Sequence, residues 1–455
     1  MEIRINRNKV FSVFEGFGAS GAWWAQEVGG WTHTDEESGM PVRDRISQLL
    51  YSKKNGIGLR TYRYNIGAGS AHSGAGNITN PLRRTESFDA GDGKYDFSRD
   101  KNAVYMMKQA AKDGADEIIL FVNSPIERLT KNGLSHLCKY QIMRDNLAKA
   151  DYKAFATYCL DVAEHFINEG LPVKYLSPIN EPIWIWNGGQ EGCHYSPFST
   201  AKVMKMFAEE ADRRPALRNL KLSGVESGDL RWFNKSYTKA LMKYECVRNR
   251  IDSVDVHSYC LPLPVPVRGF NDRLAFVKRF RKWLDRKYPD LPVKMSEWCH
   301  MQGGRDKTMA SALVTADTIF NDISILNVTS WQHWIAVSEV DYCDGLIYIN
   351  LPDKTFEMTK RYYITGNFSK YIPYQSERVE VFCDDKELKL LAFTKGEKTI
   401  VIAINDTKKE KNITLPGTDG DVLVSVTDNS NDLAEKTVTT RSIVITPESV
   451  NTIIF

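Results

Sequence analysis

Two glutamates at the ends of predicted strands supply the residue types for acid/base and nucleophilic chemistry. Glu181 lies in Ser177-Pro178-Ile179-Asn180-Glu181-Pro182, and Glu297 lies in Val293-Lys294-Met295-Ser296-Glu297-Trp298. Hydrolysis of a glycosidic bond needs two carboxyl groups: one protonates the leaving oxygen, and the other attacks the sugar or activates water. A single glutamate at a strand end is more often structural, but two of them in matching contexts indicate a glycosidase site.

Polar residues at two other predicted strand ends could complete this site. Strand two ends in Arg63-Tyr64-Asn65. An arginine there can keep a carboxylate ionised through a charge-assisted hydrogen bond. The alternative is a structural salt bridge at the rim of the barrel that is predicted below. Strand six ends in His257-Ser258-Tyr259. Alternation along the strand places His257 and Tyr259 on one side, where both could reach a sugar or Glu297.

Glu226 and three tryptophans are further candidates. Glu226, in Gly224-Val225-Glu226-Ser227, is a third carboxylate at a strand end. It lacks the preceding polar residue and the following Pro or Trp, so we expect a substrate-pocket or structural group and not a catalytic one. Trp331 is expected to form a sugar-stacking floor, and Trp24 and Trp186 could form walls. Packing in the core is the alternative for each tryptophan.

The elements that must position these residues follow from the hydrophobic pattern. Short apolar runs alternate with longer amphipathic ones, which is typical of βα units around a parallel sheet. The predicted strands are residues 14–23, 58–67, 117–125, 174–182, 221–228, 253–259, 292–298 and 329–336. Helical spacing is clearest at 152–167 and recurs at 42–50, 104–111, 274–284 and 310–326. This pattern predicts an α/β fold, a (β/α)8 TIM barrel with its site at the C-terminal ends of the strands.

After Tyr371 the hydrophobic period changes to two, which indicates a second domain of antiparallel strands. The alternating runs are residues 387–393, 399–405, 421–427, 442–446 and 450–455. Residues 2–13 also read as one or two strands and could complete the same sandwich. We therefore predict a barrel over residues 14–365 and a side β-sandwich domain built from residues 1–13 and 366–455.

Composition limits the class of partner. At 455 residues, the chain exceeds the usual size of one domain. The net charge is +3 with scattered Lys and Arg, which argues against nucleic acid or a membrane surface. The chain has 10 Trp and 20 Tyr, and several of these rings lie in loop-like segments where sugar faces could stack. An oligosaccharide or polysaccharide is the expected partner.

Cysteine usage and the first residues bear on cofactors and location. The eight cysteines form no CxxC pair and no ligand-like spacing with the eight histidines, so we expect reduced thiols, no metal and no other cofactor. The segment Met1-Glu2-Ile3-Arg4-Ile5-Asn6 lacks an apolar signal core, and no run of about 18 apolar residues occurs. Taken literally, this predicts a cytoplasmic protein, although a chain from which a leader had been removed would look the same.

Several further motifs resemble those of glycoside hydrolase family 30, within clan A. They are Phe14-Glu15-Gly16-Phe17-Gly18-Ala19-Ser20, Arg63-Tyr64-Asn65-Ile66-Gly67-Ala68-Gly69, Asn123-Ser124-Pro125, Gln190-Glu191-Gly192-Cys193-His194-Tyr195 and Gly366-Asn367-Phe368-Ser369-Lys370-Tyr371. The resemblance spans almost the whole chain. Two segments, Ala22-Trp23-Trp24-Ala25 and Gly29-Gly30-Trp31, are most similar to the endo-β-1,6-galactanase branch of the family.

This resemblance implies a retaining hydrolase with Glu181 as the acid/base and Glu297 as the nucleophile. Asn180 would bind the 2-hydroxyl of the sugar being cleaved, and Arg63 would lie beside Glu297. The substrate-binding residues expected from the motifs and strand ends are Arg63, Asn65, Asn123, Asn180, Glu226, His257 and Tyr259. The resemblance also implies the barrel with a side β-sandwich.

One departure from the galactanase branch concerns specificity. That branch tends to continue Asn123-Ser124-Pro125 with a second Pro and an aromatic, but Ile126, Glu127 and Arg128 follow here. The charged pair could close the cleft and make the enzyme exo-acting, or Arg128 could bind a substrate carboxylate. Pairing with neighbouring surface charges is the third interpretation.

The sequence is compatible with two functions from different classes. The first is a retaining β-glycosidase acting on β-1,6-linked galactose, with β-1,4-xylanase, β-glucosidase and β-fucosidase as alternative specificities. The second is a non-catalytic carbohydrate-binding barrel, which would be expected to have lost a carboxylate. The sequence keeps both glutamates and therefore favours the enzyme.

Overall fold

A computed structural model describes residues 1–73, 78–136, 144–231, 234–260, 272–417 and 420–455. The strands among them are β1 Arg4–Phe14, β2 Gly16–Ser20, β3 Thr61–Asn65, β4 Asp89–Gly91, β5 Lys94–Tyr95, β6 Glu117–Phe121, β7 Val173–Ser177, β8 Lys221–Leu222, β9 Val254–His257, β10 Val293–Trp298, β11 Val328–His333, β12 Val337–Ser338, β13 Ile347–Asn350, β14 Thr355–Met358, β15 Ser376–Phe382, β16 Leu388–Lys395, β17 Lys398–Asn405, β18 Lys411–Thr414, β19 Val422–Thr427, β20 Ala434–Val438, β21 Ser442–Ile445 and β22 Ser449–Ile454.

The helices alternate with the first eleven of these strands and then become rare. They are α1 Trp24–Val28, α2 Val42–Tyr51, α3 Ser70–Ser73, α4 Lys101–Asp113, α5 Tyr152–Asn168, α6 Pro197–Asp212, α7 Asn234–Leu241, α8 Glu245–Arg250, α9 Arg273–Lys287, α10 Met309–Asn321 and α11 Lys360–Ser369. Short 3-10 turns lie at Pro81–Arg83, Glu127–Leu129, Lys149–Asp151 and Pro215–Leu217, and a π-helical turn at Asp322–Leu326 extends α10.

One compact unit comprises residues 20–47 and 61–297. Within it, β3 pairs in parallel with β6, β6 with β7, and β7 with β8, while β9 pairs in parallel with β10. Every residue of β3 and of β6 is buried, as expected for parallel strands covered on both faces. Isolated parallel bridges join Asn180 to Glu226 and Ser227 to Val256. The pairing therefore continues past the regular strands to the residues singled out by sequence.

The other compact unit comprises residues 1–19, 48–60 and 298–455. It contains the parallel pair of β2 and β11, with Ser330 opposite Gly16. It also contains an antiparallel sheet in the order β1-β15-β16-β17-β22-β19-β20 and a separate antiparallel pair of β18 and β21. The strand predicted near the amino terminus thus joins the carboxy-terminal sheet, as expected. The predicted domain boundaries at 13/14 and 365/366 remain predictions.

The core of the antiparallel region is built from alternating apolar residues. Val401 and Ala403 of β17 are fully buried and pack with Val424 of β19 and Ile453 of β22. Burial of one sheet face in this way follows the period of two in these segments. The Asn367 side chain of α11 donates to the backbone oxygen of Ser425 and to the hydroxyl of Thr452, each at 3.2 Å. These bonds attach α11 to the sheet.

Each predicted barrel strand and helix is present, although most strands are shorter than expected. The strand predicted at 221–228 is regular only over two residues, because Gly224 and Gly228 interrupt it. Three strands of the second region, β15, β18 and β20, were not predicted. They are short or half-exposed, so their hydrophobic alternation is weak.

One helical segment of the described residues, Met309–Leu326, is long and apolar enough to cross a membrane by length and composition. Residues of this window are 56% buried in the protein, which is also typical of a core helix. Of the eight cysteines, the seven that the structure describes are free thiols, and Cys138 lies outside the described residues. Reduced cysteines agree with the expectation from their spacing.

Candidate functional site

The guanidinium of Arg63 lies at the centre of the site. It is fully buried in the middle of β3. Its Nη1 donates to Glu297 at 2.8 Å, and its Nη2 donates to Glu226 at 2.8 Å and to the side-chain oxygen of Asn180 at 2.9 Å. The guanidinium also lies 3.6 Å from the ring centroid of Phe121. One cation therefore fixes three polar side chains from three different strand ends.

The backbone around Glu181 is held in an unusual conformation. Glu181 has a φ of 43°, a left-handed conformation that costs a non-glycine residue on the order of 1–3 kcal/mol. Its backbone N–H donates to the carbonyl of Glu226 at 2.8 Å, which offsets part of this strain. Pro182 disfavours the right-handed helical conformation for the residue before it. The turn directs Glu181 away from the strand, and its carboxyl group meets His257.

Two side chains of the sixth barrel strand and its end contact the two glutamates. Nδ1 of His257 lies 2.8 Å from Oε1 of Glu181 and 3.5 Å from Oε1 of Glu297. The hydroxyl of Tyr259 donates to Oε1 of Glu297 at 3.4 Å. Oxygens of the two glutamates lie within 4.8 Å of each other. The structure thus brings both predicted carboxyl groups into one buried cluster.

The electrostatics of this cluster give the two carboxyl groups different tendencies to ionise. Burial raises the pKa of Glu181 well above its ordinary value, the charge of Glu297 raises it further, and Arg63 opposes both. Burial also raises the pKa of Glu297, to about 7, against the field of Arg63 and the hydrogen bonds from Arg63 and Tyr259. Because Arg63 donates directly to Glu297, the negative charge of the pair is favoured on Glu297. Glu181 then keeps the proton.

His257 is neutral in this environment. It is fully buried, and burial together with the nearby Arg63 charge lowers its pKa well below the ordinary value. A neutral imidazole can donate one hydrogen bond or accept one at Nδ1. It can therefore orient the Glu181 carboxyl group without adding a charge.

Glu226 holds Arg63 from the side opposite Glu297. It is fully buried, and its Oε2 accepts hydrogen bonds from Arg63 and from the Ser177 hydroxyl, each at 2.8 Å. Its negative charge raises the pKa of both Glu181 and Glu297. This placement agrees with the structural alternative given for Glu226. Ser177 was not identified from sequence, since a serine at a strand end carries no distinguishing pattern.

An amide chain extends from this centre to two asparagines. The Asn180 side chain donates to the Asn123 oxygen at 3.0 Å, and the Asn123 amide lies 3.5 Å from the Asn65 oxygen. All three residues are less than 10% exposed. Asn65, Asn123 and Asn180 thus lie side by side, and their substrate contacts remain a prediction.

The three tryptophans differ in position. Trp186 is half-buried and its Nε1 donates to the Glu181 carbonyl at 3.1 Å, so it lies next to the acid. Trp24 is fully buried and donates to the Ser20 carbonyl at 2.9 Å. Trp331 is fully buried too, donates to Asp322 at 3.1 Å and packs against Phe17. The last two rings have no exposed face in this structure, which agrees with the packing alternative and differs from the expected wall and floor.

The charged pair after the third barrel strand makes local contacts. Arg128 forms a bidentate ion pair with Asp89, at 2.6 and 2.8 Å. Glu127 accepts hydrogen bonds from the Ser73 hydroxyl and from the Ser135 backbone, each at 3.2 Å. These contacts favour the third interpretation, pairing with neighbouring groups.

A metal ion is the other ligand that this cluster could hold. Glu181, His257 and Glu297 offer three ligand atoms within 4.8 Å of one another. However, Arg63 already places a positive charge 2.8 Å from Glu297, and a cation bound to the same carboxylate would be repelled by it in a buried site. The arrangement is therefore better suited to proton transfer and nucleophilic attack than to cation binding.

The chain is similar to known proteins over most of its length. The model of O-Glycosyl hydrolase family 30 matches residues 1–348. An endo-beta-1,6-galactanase from Hypocrea rufa is 24% identical over 445 residues, covering 90% of this chain and 82% of the relative.

Solved structures establish the fold. A conserved exported protein from Bacteroides fragilis has a TM-score of 0.88 and 23% identity, with 100% of both chains covered. The catalytic domain of the GH30 xylanase C from Talaromyces cellulolyticus has a TM-score of 0.76 and 17% identity, with 100% of this chain and 99% of that chain covered. The fold is the predicted TIM barrel with a side β-domain built from both termini.

Replacing Gly228 by Ala should disturb the acid directly. A Cβ atom there would lie 2.8 Å from Cδ of Glu181 and would overlap Nε1 of Trp184, so both side chains must move. We expect hydrolysis of a glycoside with a poor leaving group to fall by about tenfold to a hundredfold, with little change in Tm. Gly303→Ala, which adds a Cβ into open space, is the control. Wild-type rates in Gly228→Ala would contradict the placement.

Glu181→Gln should flatten the dependence of stability on pH. The folded-state pKa of Glu181 is raised above the unfolded value of about 4.3, so folding favours its protonated form. Its contribution to the free energy of unfolding is full below about pH 4.3 and is lost as the pH rises through the folded pKa. Urea unfolding measures this contribution. Between about pH 5 and about pH 8, the free energy of unfolding should fall less in Glu181→Gln than in wild type, by a difference on the order of 1–3 kcal/mol.

The control for this measurement is Glu245→Gln, which changes an exposed glutamate at the start of α8. Its loss of stability over the same pH interval should match that of wild type. Identical losses in wild type and Glu181→Gln would mean that Glu181 is not protonated by its folded environment.

Proposed function

The chain belongs to O-glycosyl hydrolase family 30, and on this basis we propose that it is a retaining β-glycosidase that cleaves β-1,6-linked galactose chains or oligosaccharides. The observation that carries the mechanism is the close approach of the Glu181 and Glu297 carboxyl groups. One oxygen of each carboxyl group lies within 4.8 Å of an oxygen of the other, which favours the roughly 5–5.5 Å spacing of retaining enzymes over the roughly 6.5–9.5 Å that inversion needs to admit a water.

The proposed first step transfers the glycosyl group to the enzyme. An oxygen of ionised Glu297 attacks the anomeric carbon, and the bond from that carbon to the leaving oxygen breaks. Protonated Glu181 gives its proton to the leaving oxygen, so the departing sugar leaves as a neutral alcohol. Burial, which keeps Glu181 protonated, and the direct bond from Arg63 to Glu297 support these roles.

The second step returns the enzyme to its starting state. Glu181, now ionised, takes a proton from water as the water oxygen attacks the anomeric carbon, and the bond to Glu297 breaks. Two displacements give net retention of configuration. His257, 2.8 Å from Glu181, would hold the Glu181 carboxyl group in one orientation through both steps.

The sugar and linkage are supported by one relative. The galactanase of Hypocrea rufa shares 24% identity with this chain over most of both sequences, and Asn180 would bind the 2-hydroxyl as the motif implies. β-1,4-xylanase, β-glucosidase and β-fucosidase activities are the alternatives, and the Talaromyces cellulolyticus neighbour is itself a xylanase. Exo and endo action remain alternatives. A cytoplasmic location remains a prediction.

A substrate panel tests the specificity. The protein is incubated with β-1,6-galacto-oligosaccharides, xylan and aryl glycosides of galactose, glucose, xylose and fucose, and the products are separated over time. We expect the β-1,6-galacto-oligosaccharides to be cleaved fastest, with the β-configured product appearing first by NMR. Preferential cleavage of xylan would overturn the galactose assignment, and an α-configured first product would overturn the retaining mechanism.

The two glutamates should fail differently when they are changed. Glu297→Gln removes the nucleophile and should abolish hydrolysis of every substrate. Glu181→Gln should slow natural glycosides by about 10²–10⁴-fold but largely spare formation of the intermediate from an aryl glycoside whose leaving group needs no proton. Azide should restore turnover of Glu181→Gln on that aryl glycoside and give a β-glycosyl azide.

Glu226→Gln is the matched comparison, since Glu226 is the third buried carboxylate on Arg63. Its activity should fall less than that of Glu297→Gln. A reversed rescue pattern would exchange the roles of Glu181 and Glu297. Complete loss in Glu226→Gln, with activity retained in Glu297→Gln, would mean that the nucleophile is Glu226.

A further inference from the structure

A buried arginine in the unit that contains the antiparallel sheet has no carboxylate partner among the residues that the structure describes. Arg378 of β15 is only 6% exposed. Its Nη2 donates to the neutral side chain of Asn327 at 2.9 Å. Burial lowers its pKa to about 10, and no carboxylate of the described residues opposes this effect. A buried cation without an anion costs free energy, so a bound anion would be stabilised here.

Arg378 lines a pocket of about 370 Å³, within the roughly 300–1,000 Å³ typical of small-ligand sites. Ser324 lines the same pocket. Nε of Arg378 and Oγ of Ser324 are both buried and have no hydrogen-bond partner among the described residues. The protein leaves one donor of each residue unused, and one of the two residues carries a positive charge.

Aromatic rings at the mouth of the pocket are exposed to solvent. Phe11 of β1 is 41% exposed and Phe382 of β15 is 45% exposed, and both line the pocket. The Arg378 guanidinium lies 4.2 Å from the ring centroid of Phe11. Rings exposed next to a polar group are suited to contact the apolar face of a sugar.

The acidic residue of the pocket does not neutralise Arg378. Glu380 lines the pocket as well, but its carboxylate pairs with Lys9 at 2.6 Å and accepts from Asn6 at 3.4 Å. Arg4 lies 5.6 Å from the ring centroid of Phe382 and pairs with Asp384 at 3.9 Å, so it adds little net charge. The charge around the two rings therefore remains positive.

We propose that this pocket binds the carboxylate of an acidic sugar residue, such as a uronic acid of a carbohydrate chain. A carboxylate oxygen would accept from the guanidinium of Arg378, as charge-assisted bonds to a guanidinium favour. The sugar ring would lie against Phe11 or Phe382. The sugar part of this assignment rests on the proposed function, whereas the anionic part rests on the buried charge of Arg378 alone.

Binding of methyl β-D-glucuronide and methyl β-D-glucoside tests the proposal, because these probes differ only in the carboxylate. Isothermal titration of the wild-type protein should give at least about tenfold tighter binding of the glucuronide, and binding should weaken as salt is added. Arg378→Gln should remove this preference. Arg218→Gln, which changes an exposed arginine, should keep it.

A second variant and an activity control separate the interpretations. Phe11→Ser changes an exposed ring and should weaken glucuronide binding without altering the circular dichroism spectrum. Arg378→Gln should hydrolyse an aryl glycoside at the wild-type rate, so a protein that hydrolyses nothing but binds glucuronide through Arg378 would contradict the proposed function and support this pocket. Glucuronide binding that is unchanged in Arg378→Gln would overturn the pocket. Acetate binding as tightly as the glucuronide would overturn its assignment to a sugar.

Discussion

The buried Arg63 guanidinium is the interaction on which the site depends. It bonds to Glu226, Glu297 and Asn180, which come from three separate strands. Burying one carboxylate without a partner costs several kcal/mol, and here two share a single cation. Loss of the arginine would leave both carboxylates in a dry environment. This arrangement therefore fixes the strand ends relative to each other and sets the charge of the site at the same time.

Unequal sharing of that cation gives the two glutamates different protonation. Arg63 contacts Glu297 directly, whereas Glu181 meets only a neutral His257 and the field of the other carboxylates. The pair thus carries one negative charge, on Glu297, and one proton, on Glu181. The strained backbone of Glu181 and the missing side chain at Gly228 give the acid its place. Position and charge together produce a pair suited to double displacement.

The sheet built from both termini contains a buried arginine that has no carboxylate partner among the described residues. Arg378 is buried with a neutral partner beside two exposed phenylalanines, whereas Arg63 is buried between two carboxylates. This contrast indicates that the two arginines have different roles. A cation whose charge is satisfied internally stabilises a fixed arrangement, while a cation left without an anion favours binding one from outside.

The sequence by itself determined the alternation of strands and helices, the participation of both termini in one sheet, and the two glutamates, because periodicity and strand-end position are local properties. It also named Arg63, His257 and Tyr259 as neighbours of Glu297. Only the tertiary structure decided that Glu226 and Ser177 hold Arg63, that Trp24 and Trp331 are buried, and that Arg128 pairs with Asp89. These outcomes depend on contacts between residues 39 to 163 positions apart or on burial. A pattern along the chain carries no information about which distant group neutralises a charge or covers a ring.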